Sequence, residues 1–175
     1  MNDNFVVEET FIQELMVVKA LNDITYDRNE FFKHGLKMDF IQENESFSKK
    51  NVLRGLHIQK EKPQGKLVRV LEGIIYDVAV DLRKESKTFG KWFGLELSSE
   101  NSKMLYIPEG FAHGFLVISD YAKVSFKVSN EWIPESEIGI SWNDKFLNIK
   151  WPLKGEPIIS QKDNTYNEFA INLFL

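Results

Sequence analysis

Cysteine is absent from this 175-residue sequence. Its absence excludes a disulfide framework, a thiolate metal site and a cysteine nucleophile. A basic surplus is absent too, because 22 Lys and Arg stand against 26 Asp and Glu, and this balance argues against a nucleic-acid partner. The N-terminus lacks a signal-peptide pattern and no apolar run is long enough to cross a bilayer, so we expect a cytoplasmic protein without a membrane contact.

The composition that remains is that of an ordinary globular protein, with one imbalance. Hydrophobic residues make up 43% and charged residues 27% of the chain, but the aromatic residues include 14 Phe and only 5 Tyr. No repeat, low-complexity stretch or linker interrupts the sequence. We therefore expect a single domain over residues 1–175, with a sizeable core and a looser C-terminal tail.

Local patterns predict one short helix and many strands. The helix is expected over residues 28–34, where Asp27 would cap the N-terminus, Glu30 would complete a capping box and Gly35 would end the helix. Short apolar segments follow at intervals of about ten residues, separated by turn residues. This pattern favours an all-β sandwich or barrel with one or two short helices, and its strands are expected at residues 66–71, 74–82, 92–97, 103–107, 113–118 and 122–128.

The alternation of the last predicted strand bears on function. Successive side chains of a strand point to opposite faces, so Ala122, Val124, Phe126 and Val128 share one face. The other face carries polar residues. The pattern therefore turns Phe126 towards the interior of the sandwich.

The sequence contains three histidines, and the residues around two of them suggest a catalytic or binding role. His57 lies in a β-rich segment with Arg54 and Gln59, although strict alternation would place Arg54 and His57 on opposite faces. A bulge at Gly55 would bring them to the same face. His113 follows a P-x-G-x-x-H turn of a kind found in jelly-roll (cupin) proteins, where such a histidine can bind metal. Two histidines without a third ligand make a poor metal site, so we expect no metal.

Several ordered motifs carry a resemblance to a known family. Together they resemble the dTDP-4-dehydrorhamnose 3,5-epimerase family of RmlC-like cupins over about residues 37–163, most of the chain. The motifs are VLRGLH at 52–57, GKLVRV at 65–70, DVAVDLR at 77–83, TFG at 88–90, PEGFAHGFL at 108–116, GISWND at 139–144 and WPL at 151–153.

The resemblance implies a cupin jelly roll that forms a homodimer and works without a cofactor. It implies an isomerase that inverts C3 and/or C5 of a nucleotide-linked 4-keto-6-deoxy sugar, with dTDP as the default nucleotide, in cell-surface polysaccharide or deoxysugar biosynthesis. In this chemistry the C4 ketone acidifies the neighbouring C–H bonds. A histidine removes a proton, a cation holds the enolate, and an acid on the opposite face of the ring returns a proton.

The family's functional residues have counterparts here. By this resemblance His57 is the base, Asp163 orients it, and Lys66 is the cation beside the keto oxygen. The resemblance and the neighbouring sequence together give an expected substrate-binding set of Arg54, Gln42, Asn44, Gln59, His113, Phe126, Trp132, Glu137 and Lys162.

Two departures from the family pattern leave the detailed reaction open. The family's acid is a tyrosine in a Tyr-Lys pair, but the pair here is Phe126-Lys127, and a phenyl ring has no proton to give. An N-terminal D-x-R-G-x-F element is also missing, so GDP and CDP stay open beside dTDP. We expect an epimerase restricted to one carbon or one that uses another donor. The alternatives are a 3,4-ketoisomerase of the same sugars and a non-catalytic sugar-nucleotide-binding cupin.

Overall fold

The computed structural model describes residues 3–169, which fold into two facing β-sheets. Besides the strands there are one α-helix, α1 (Arg28–Lys33), and two single turns of 3₁₀-helix at Pro134–Ser136 and Asp163–Thr165. The strands are β1 (Phe5–Glu9), β2 (Met16–Ala20), β3 (Gln42–Lys49), β4 (Val52–Gln59), β5 (Lys66–Glu72), β6 (Ile74–Asp81), β7 (Trp92–Ser98), β8 (Lys103–Ile107), β9 (Phe111–Val117), β10 (Tyr121–Val128), β11 (Glu137–Gly139) and β12 (Ile158–Ile159).

The strand order defines the two sheets that we call sheet I and sheet II. Sheet I has the order β1-β2-β8-β5-β10-β3, and sheet II has the order β11-β4-β9-β6-β7. Neighbours along both paths are antiparallel, whereas the short strand β12 pairs in parallel with β4. Apart from the pairs β1–β2 and β6–β7, neighbouring strands are not consecutive in sequence. The all-β two-sheet architecture expected from the sequence is confirmed.

The main core lies between the two sheets. Val68 and Val124 from sheet I pack with Ile75 and Phe115 from sheet II, and all four side chains are buried. Burying apolar surface in this way is the dominant favourable term in folding. Phe126 packs against the same cluster, as the alternation of β10 predicted.

Helix α1 begins as expected but its capping box is incomplete. The Asp27 carboxylate accepts a hydrogen bond from the Glu30 amide at 2.9 Å, so Asp27 is the N-cap. The Glu30 carboxylate does not return to Asp27; it accepts from the Asn4 amide at 3.3 Å, because strand β1 runs alongside. That part of the prediction was wrong. The helix ends at Lys33, and Gly35 follows with φ of +82°.

All six predicted strands are present, with ends within two residues of the expected positions. The prediction had no strand at β3, whose sequence QENESFSK lacks alternating apolar residues. Such a strand forms because it lies at the edge of sheet I, where its backbone pairs with β10 and most of its side chains face solvent. Residues 170–175 of the expected C-terminal tail lie outside the described part. Within residues 3–169, no helix has the length and apolar character that crossing a membrane requires.

Candidate active site

A cavity of about 220 Å³ opens between the two sheets. One wall belongs to sheet I and the other to sheet II, with two loop residues, Gln64 and Trp132, at the opening. The sheet I wall consists of Asn44, Ser46, Lys66, Phe126 and Val128. The sheet II wall consists of Arg54, His57, His113, Gly114 and Phe115.

An irregularity in β4 places Arg54 and His57 on the same wall. The pairing of β4 with β9 shifts register between these two residues, as the bulge hypothesis for Gly55 anticipated. Gly55 has φ of +106°, and a Cβ there would lie 2.6 Å from the His113 carbonyl oxygen. Glycine is required because only it permits both this backbone conformation and this close approach of the two strands.

His57 and Asp163 form a hydrogen-bonded pair at the cavity wall. The His57 Nε2 lies 2.8 Å from the Asp163 carboxylate, which also accepts from the Gly55 amide at 3.1 Å. Asp163 is only 4% exposed, whereas the His57 side chain is 28% exposed and faces the cavity. Burial alone would raise the pKa of Asp163, but the hydrogen bonds from His57 and Gly55 lower it below the usual aspartate value.

The carboxylate fixes the proton arrangement of the His57 ring. An ionised carboxylate only accepts hydrogen bonds, so the Nε2 of His57 carries a proton. Among the described residues the Nδ1 of His57 has no hydrogen-bond partner. The pair thus leaves one imidazole nitrogen able to accept a proton from a molecule in the cavity.

A second histidine–aspartate pair lies deeper in sheet II. The Nε2 of His113 is 2.7 Å from Oδ1 of Asp77, and both side chains are buried. Burial lowers the pKa of His113, and the neighbouring Asp77 opposes this shift. The Oδ2 of Asp77 is buried without a hydrogen-bond partner in the described part of the chain.

Lys66 is the cation of the opposite wall. It begins β5 in sheet I, and its side chain makes neither an ion pair nor a hydrogen bond with any residue between 3 and 169. Burial lowers the pKa of its ammonium group below the ordinary lysine value of 10.5, while the carboxylates of Glu137 and Asp77 act in the opposite direction. The cavity therefore presents an unpaired ammonium group across from His57.

Phe126 spans the gap between the walls. Its ring centroid lies 6.1 Å from that of His113 and 5.9 Å from that of Phe115, with edge-on and tilted geometry respectively. The ring belongs to sheet I and both partners belong to sheet II. Phe126 therefore stands on the wall opposite His57 and offers only carbon to the cavity.

The rim of the cavity carries a polar network around Glu137. One carboxylate oxygen of Glu137 accepts from Lys162 at 2.5 Å and from the hydroxyl of Tyr166 at 3.3 Å, while the other accepts from the Trp132 indole at 2.9 Å. The Lys162 ammonium lies 5.8 Å from the Trp132 ring centroid. Burial tends to raise the pKa of Glu137, but Lys162, the nearby His57 and Trp132 lower it. Trp132 is still 54% exposed.

The predicted residues thus fall into a lining set and a supporting set. Arg54 and Asn44 line the cavity; the Arg54 Nε donates to Ser48 at 3.0 Å, and Asn44 accepts from the exposed Gln42 amide at 2.7 Å. Gln59 takes a different place from the expected one. It is buried behind the loop that carries Trp132. Its side-chain amide donates hydrogen bonds to the carbonyls of residues 62 and 131 and accepts one from the backbone N–H of residue 133.

Sequence reasoning missed several residues of this site, among them the polar side chains of Ser46, Gln64, Asp77 and Tyr166. Ser46 lies two residues beyond Asn44 and thus on the same face of β3, but that signal required a strand that the sequence did not predict. Its hydroxyl is buried without a partner among the described residues, at the edge of the cavity. Asp77 stands in the DVAVDLR motif, but nothing local connects it with His113. Among residues 3–169 no group of three or more metal-binding side chains occurs.

Comparisons with known proteins identify the family of this chain. The family model of dTDP-4-dehydrorhamnose 3,5-epimerase matches residues 19–170. The dTDP-4-dehydrorhamnose 3,5-epimerase of Methanothermobacter thermautotrophicus is 51% identical over 150 residues, which cover 85% of this chain and 81% of that protein.

Solved structures add two neighbours with ligands. One is dTDP-6-deoxy-D-glucose-3,5-epimerase RmlC from Legionella pneumophila in complex with dTDP-4-keto-L-rhamnose, with TM-score 0.90, 39% identity and coverage of 97% of this chain and 94% of that one. The other is a double mutant of ChmJ, a 3'-monoepimerase from Streptomyces bikiniensis, in complex with dTDP, with TM-score 0.81, 25% identity and coverage of 91% and 85%. The chain belongs to the dTDP-4-dehydrorhamnose 3,5-epimerase family.

Proposed function

We propose that the cavity inverts C3, C5 or both in a dTDP-linked 4-keto-6-deoxy sugar. The observation that carries this proposal is the placement of a histidine–carboxylate pair, His57 and Asp163, on one wall and an unpaired ammonium group, Lys66, on the other. Epimerisation next to a ketone needs a base and a stabiliser of the enolate oxygen, and the cavity supplies both.

His57 takes the proton in this reaction. Its Nδ1 accepts the proton of the C–H bond next to the ketone, the C–H electron pair moves into the C3–C4 or C4–C5 bond, and the carbonyl oxygen becomes an enolate oxygen. The ring is then an imidazolium whose positive charge faces the Asp163 carboxylate at 2.8 Å. A buried carboxylate stabilises that cation more strongly than water does, because the surrounding dielectric constant is low.

Lys66 stabilises the enolate oxygen. Its ammonium group has no protein partner among the described residues, so its hydrogen-bonding capacity is available to the sugar. Charge-assisted hydrogen bonds are about twice as strong as neutral ones. The attraction grows as charge develops on the oxygen, so Lys66 binds the transition state more tightly than the ketone.

Arg54 and Trp132 bind the nucleotide part. The Arg54 guanidinium is held by Ser48 and faces the cavity, which suits contact with a diphosphate. Trp132 offers a large ring face at the opening, and stacking of a base on such a face contributes about 1–3 kcal/mol. The dTDP ligands of the structural neighbours support thymine as that base.

Phe126 restricts the outcome. A tyrosine at this place could return a proton to the face of the sugar opposite His57, whereas the phenyl ring cannot. We therefore propose that inversion takes place at one carbon faster than at the other. The existence of a 3'-monoepimerase among the structural neighbours supports a single-centre reaction as one that this fold permits.

We also propose that the working unit is a homodimer. Sheet I ends at β3, an edge strand whose backbone has no partner on one side in the described part of the chain. Ile41 and Phe47, at 61% and 60% exposed, lie before and within this strand. Edge strands with exposed apolar side chains pair readily with another chain. Sedimentation equilibrium tests this: a single species at 20.4 kDa would contradict it.

Solvent deuterium incorporation tests the proposed activity. The protein is incubated with dTDP-4-keto-6-deoxyglucose in D₂O and the sugar is followed by NMR. We expect deuterium at C3, C5 or both, with an inverted 4-keto product, and at least a 1000-fold slower exchange in His57→Asn. A 3-keto product would favour ketoisomerisation, and binding of the sugar nucleotide without exchange would favour a binding protein; either result would refute the proposal.

A further inference from the structure

The two walls of the cavity differ in their ability to supply a proton. An inversion needs a donor on the face of the sugar opposite the base, and His57 belongs to sheet II. His113 pairs directly with His57 across neighbouring strands, so it stands on the base's own wall. A donor must therefore come from sheet I or from solvent.

Sheet I offers a single titratable group to the cavity within the described residues. Its lining residues are Asn44, Ser46, Lys66, Phe126 and Val128, and of these only Lys66 has a titratable side chain. Lys66 is the first residue of β5 and pairs with Val128 of the neighbouring strand β10. Val128 lies two residues beyond Phe126 in the same strand. The ammonium thus comes from the same wall as Phe126.

On the basis of the proposed epimerase function, we propose that Lys66 is the proton donor of the inversion, in addition to holding the enolate oxygen. After His57 has taken the proton from carbon, the enolate π electrons form a new C–H bond with a proton from the Lys66 ammonium on the opposite face. The carbonyl re-forms, Lys66 becomes a neutral amine and His57 remains an imidazolium. Exchange with solvent then returns both groups to their starting states.

Three further features of the structure support this role. The nearby lysines are occupied, since Lys127 pairs with Glu43 at 2.6 Å and Lys162 pairs with Glu137, whereas Lys66 is unpaired among the described residues. The step converts the Lys66 ammonium into a neutral amine, and partial burial favours a neutral group over a charged one at this position. Burial also lowers the pKa of its ammonium, which makes it a stronger acid than an ordinary lysine.

The substitution Lys66→Arg separates the two roles of the residue. An arginine keeps the positive charge beside the enolate oxygen but does not give up a proton, because its pKa is above 12. In D₂O we expect Lys66→Arg to exchange the C–H hydrogen through His57 and to return deuterium on the same face. Recovered substrate is then labelled, while the inverted product forms at least about 100-fold more slowly than in the wild type. Lys127→Arg is the matched control and keeps the wild-type rate.

A double-mutant cycle with Phe126→Tyr completes the test. The phenol that this substitution introduces supplies a second donor on the sheet I wall, so we expect the penalty of Lys66→Arg on inversion to shrink at least 10-fold in that background. If Lys66→Arg loses both exchange and inversion, recovery of inversion in the Phe126→Tyr background shows that the lost function was proton donation. Circular dichroism and dTDP binding establish that each variant is folded.

The outcomes distinguish this inference from the proposed function. Near-normal inversion by Lys66→Arg, or an equal penalty with and without Phe126→Tyr, refutes Lys66 as donor while the epimerase function stands. Absence of exchange in the wild type refutes the epimerase function and this inference with it.

Discussion

Replacing Asp163 with asparagine tests the role of the His57–Asp163 pair. The substitution preserves shape but removes the charge of a side chain that is 4% exposed. The amide oxygen of the asparagine must accept from the Gly55 N–H, which lies 3.1 Å from the carboxylate, so its NH₂ group faces His57. His57 must then accept with Nε2 and carry its proton on Nδ1, the nitrogen that takes the sugar proton in the proposed reaction.

The size of the effect follows from the lost interactions. A hydrogen bond to a charged group contributes about 1.5–3 kcal/mol, and each 1.36 kcal/mol is a factor of ten in rate. The lost charge therefore lowers kcat about 10- to 150-fold. The wrong tautomer adds to this loss, and in a comparable histidine–aspartate arrangement the same substitution costs about 10⁴-fold. We expect kcat of Asp163→Asn to fall between about 10²- and 10⁴-fold.

The assay is the rate of deuterium incorporation into dTDP-4-keto-6-deoxyglucose at saturating substrate. Ser160→Ala is the control, because it removes the hydroxyl that accepts from the Asp163 backbone N–H at 2.9 Å and leaves the His57 contact in place. We expect that control to lose less than about 10-fold. A folded Asp163→Asn variant with more than half of the wild-type rate would refute the role of the carboxylate.

Three other predictions concern stability and binding. Lys66→Met should abolish turnover yet raise the free energy of unfolding at pH 7 by about 0.5–2 kcal/mol. Because the native pKa of Lys66 lies below 10.5, this gain in stability should fade as the pH rises towards 10.5. A gain that stays constant with pH in urea titrations would contradict the reasoning. Gly55→Ala should lower the free energy of unfolding by about 2–4 kcal/mol, because the new Cβ would lie 2.6 Å from a backbone atom. Gly155→Ala should lower it by about 1 kcal/mol, because Gly155 has φ of +99° but no atom within 4 Å of that position. Equal losses of stability in thermal unfolding would refute this. Trp132→Ala should raise KM for the sugar nucleotide about 10- to 100-fold with little change in kcat, and Trp132→Phe should raise it less; an unchanged KM would remove the ring from the base-binding site.

Much of the fold could be predicted because it depends on local patterns. The alternation in β10 placed Phe126 inside, and the turn residues between the expected strands at 66–71 and 74–82 separate β5 from β6, as the structure confirms. Edge strand β3 escaped prediction because pairing with β10, not its own apolar residues, makes it a strand. The carboxylate of Glu30 bonds to Asn4 for a similar reason, since a neighbour distant in sequence competes for it.

The candidate site likewise has features that the sequence predicted and features that only the structure shows. The sequence by itself determined the family. It also predicted His57 as the base, Lys66 as the cation and the loss of the phenol at Phe126, because these assignments depend on which residue types occur at which motif positions. Only the tertiary structure decided that Asp77 supports His113, that Gln59 holds a loop instead of facing the cavity, and that Lys66 stands opposite His57. These facts depend on which sheet carries each strand, and strand order in a sandwich is set by long-range packing that no local pattern encodes.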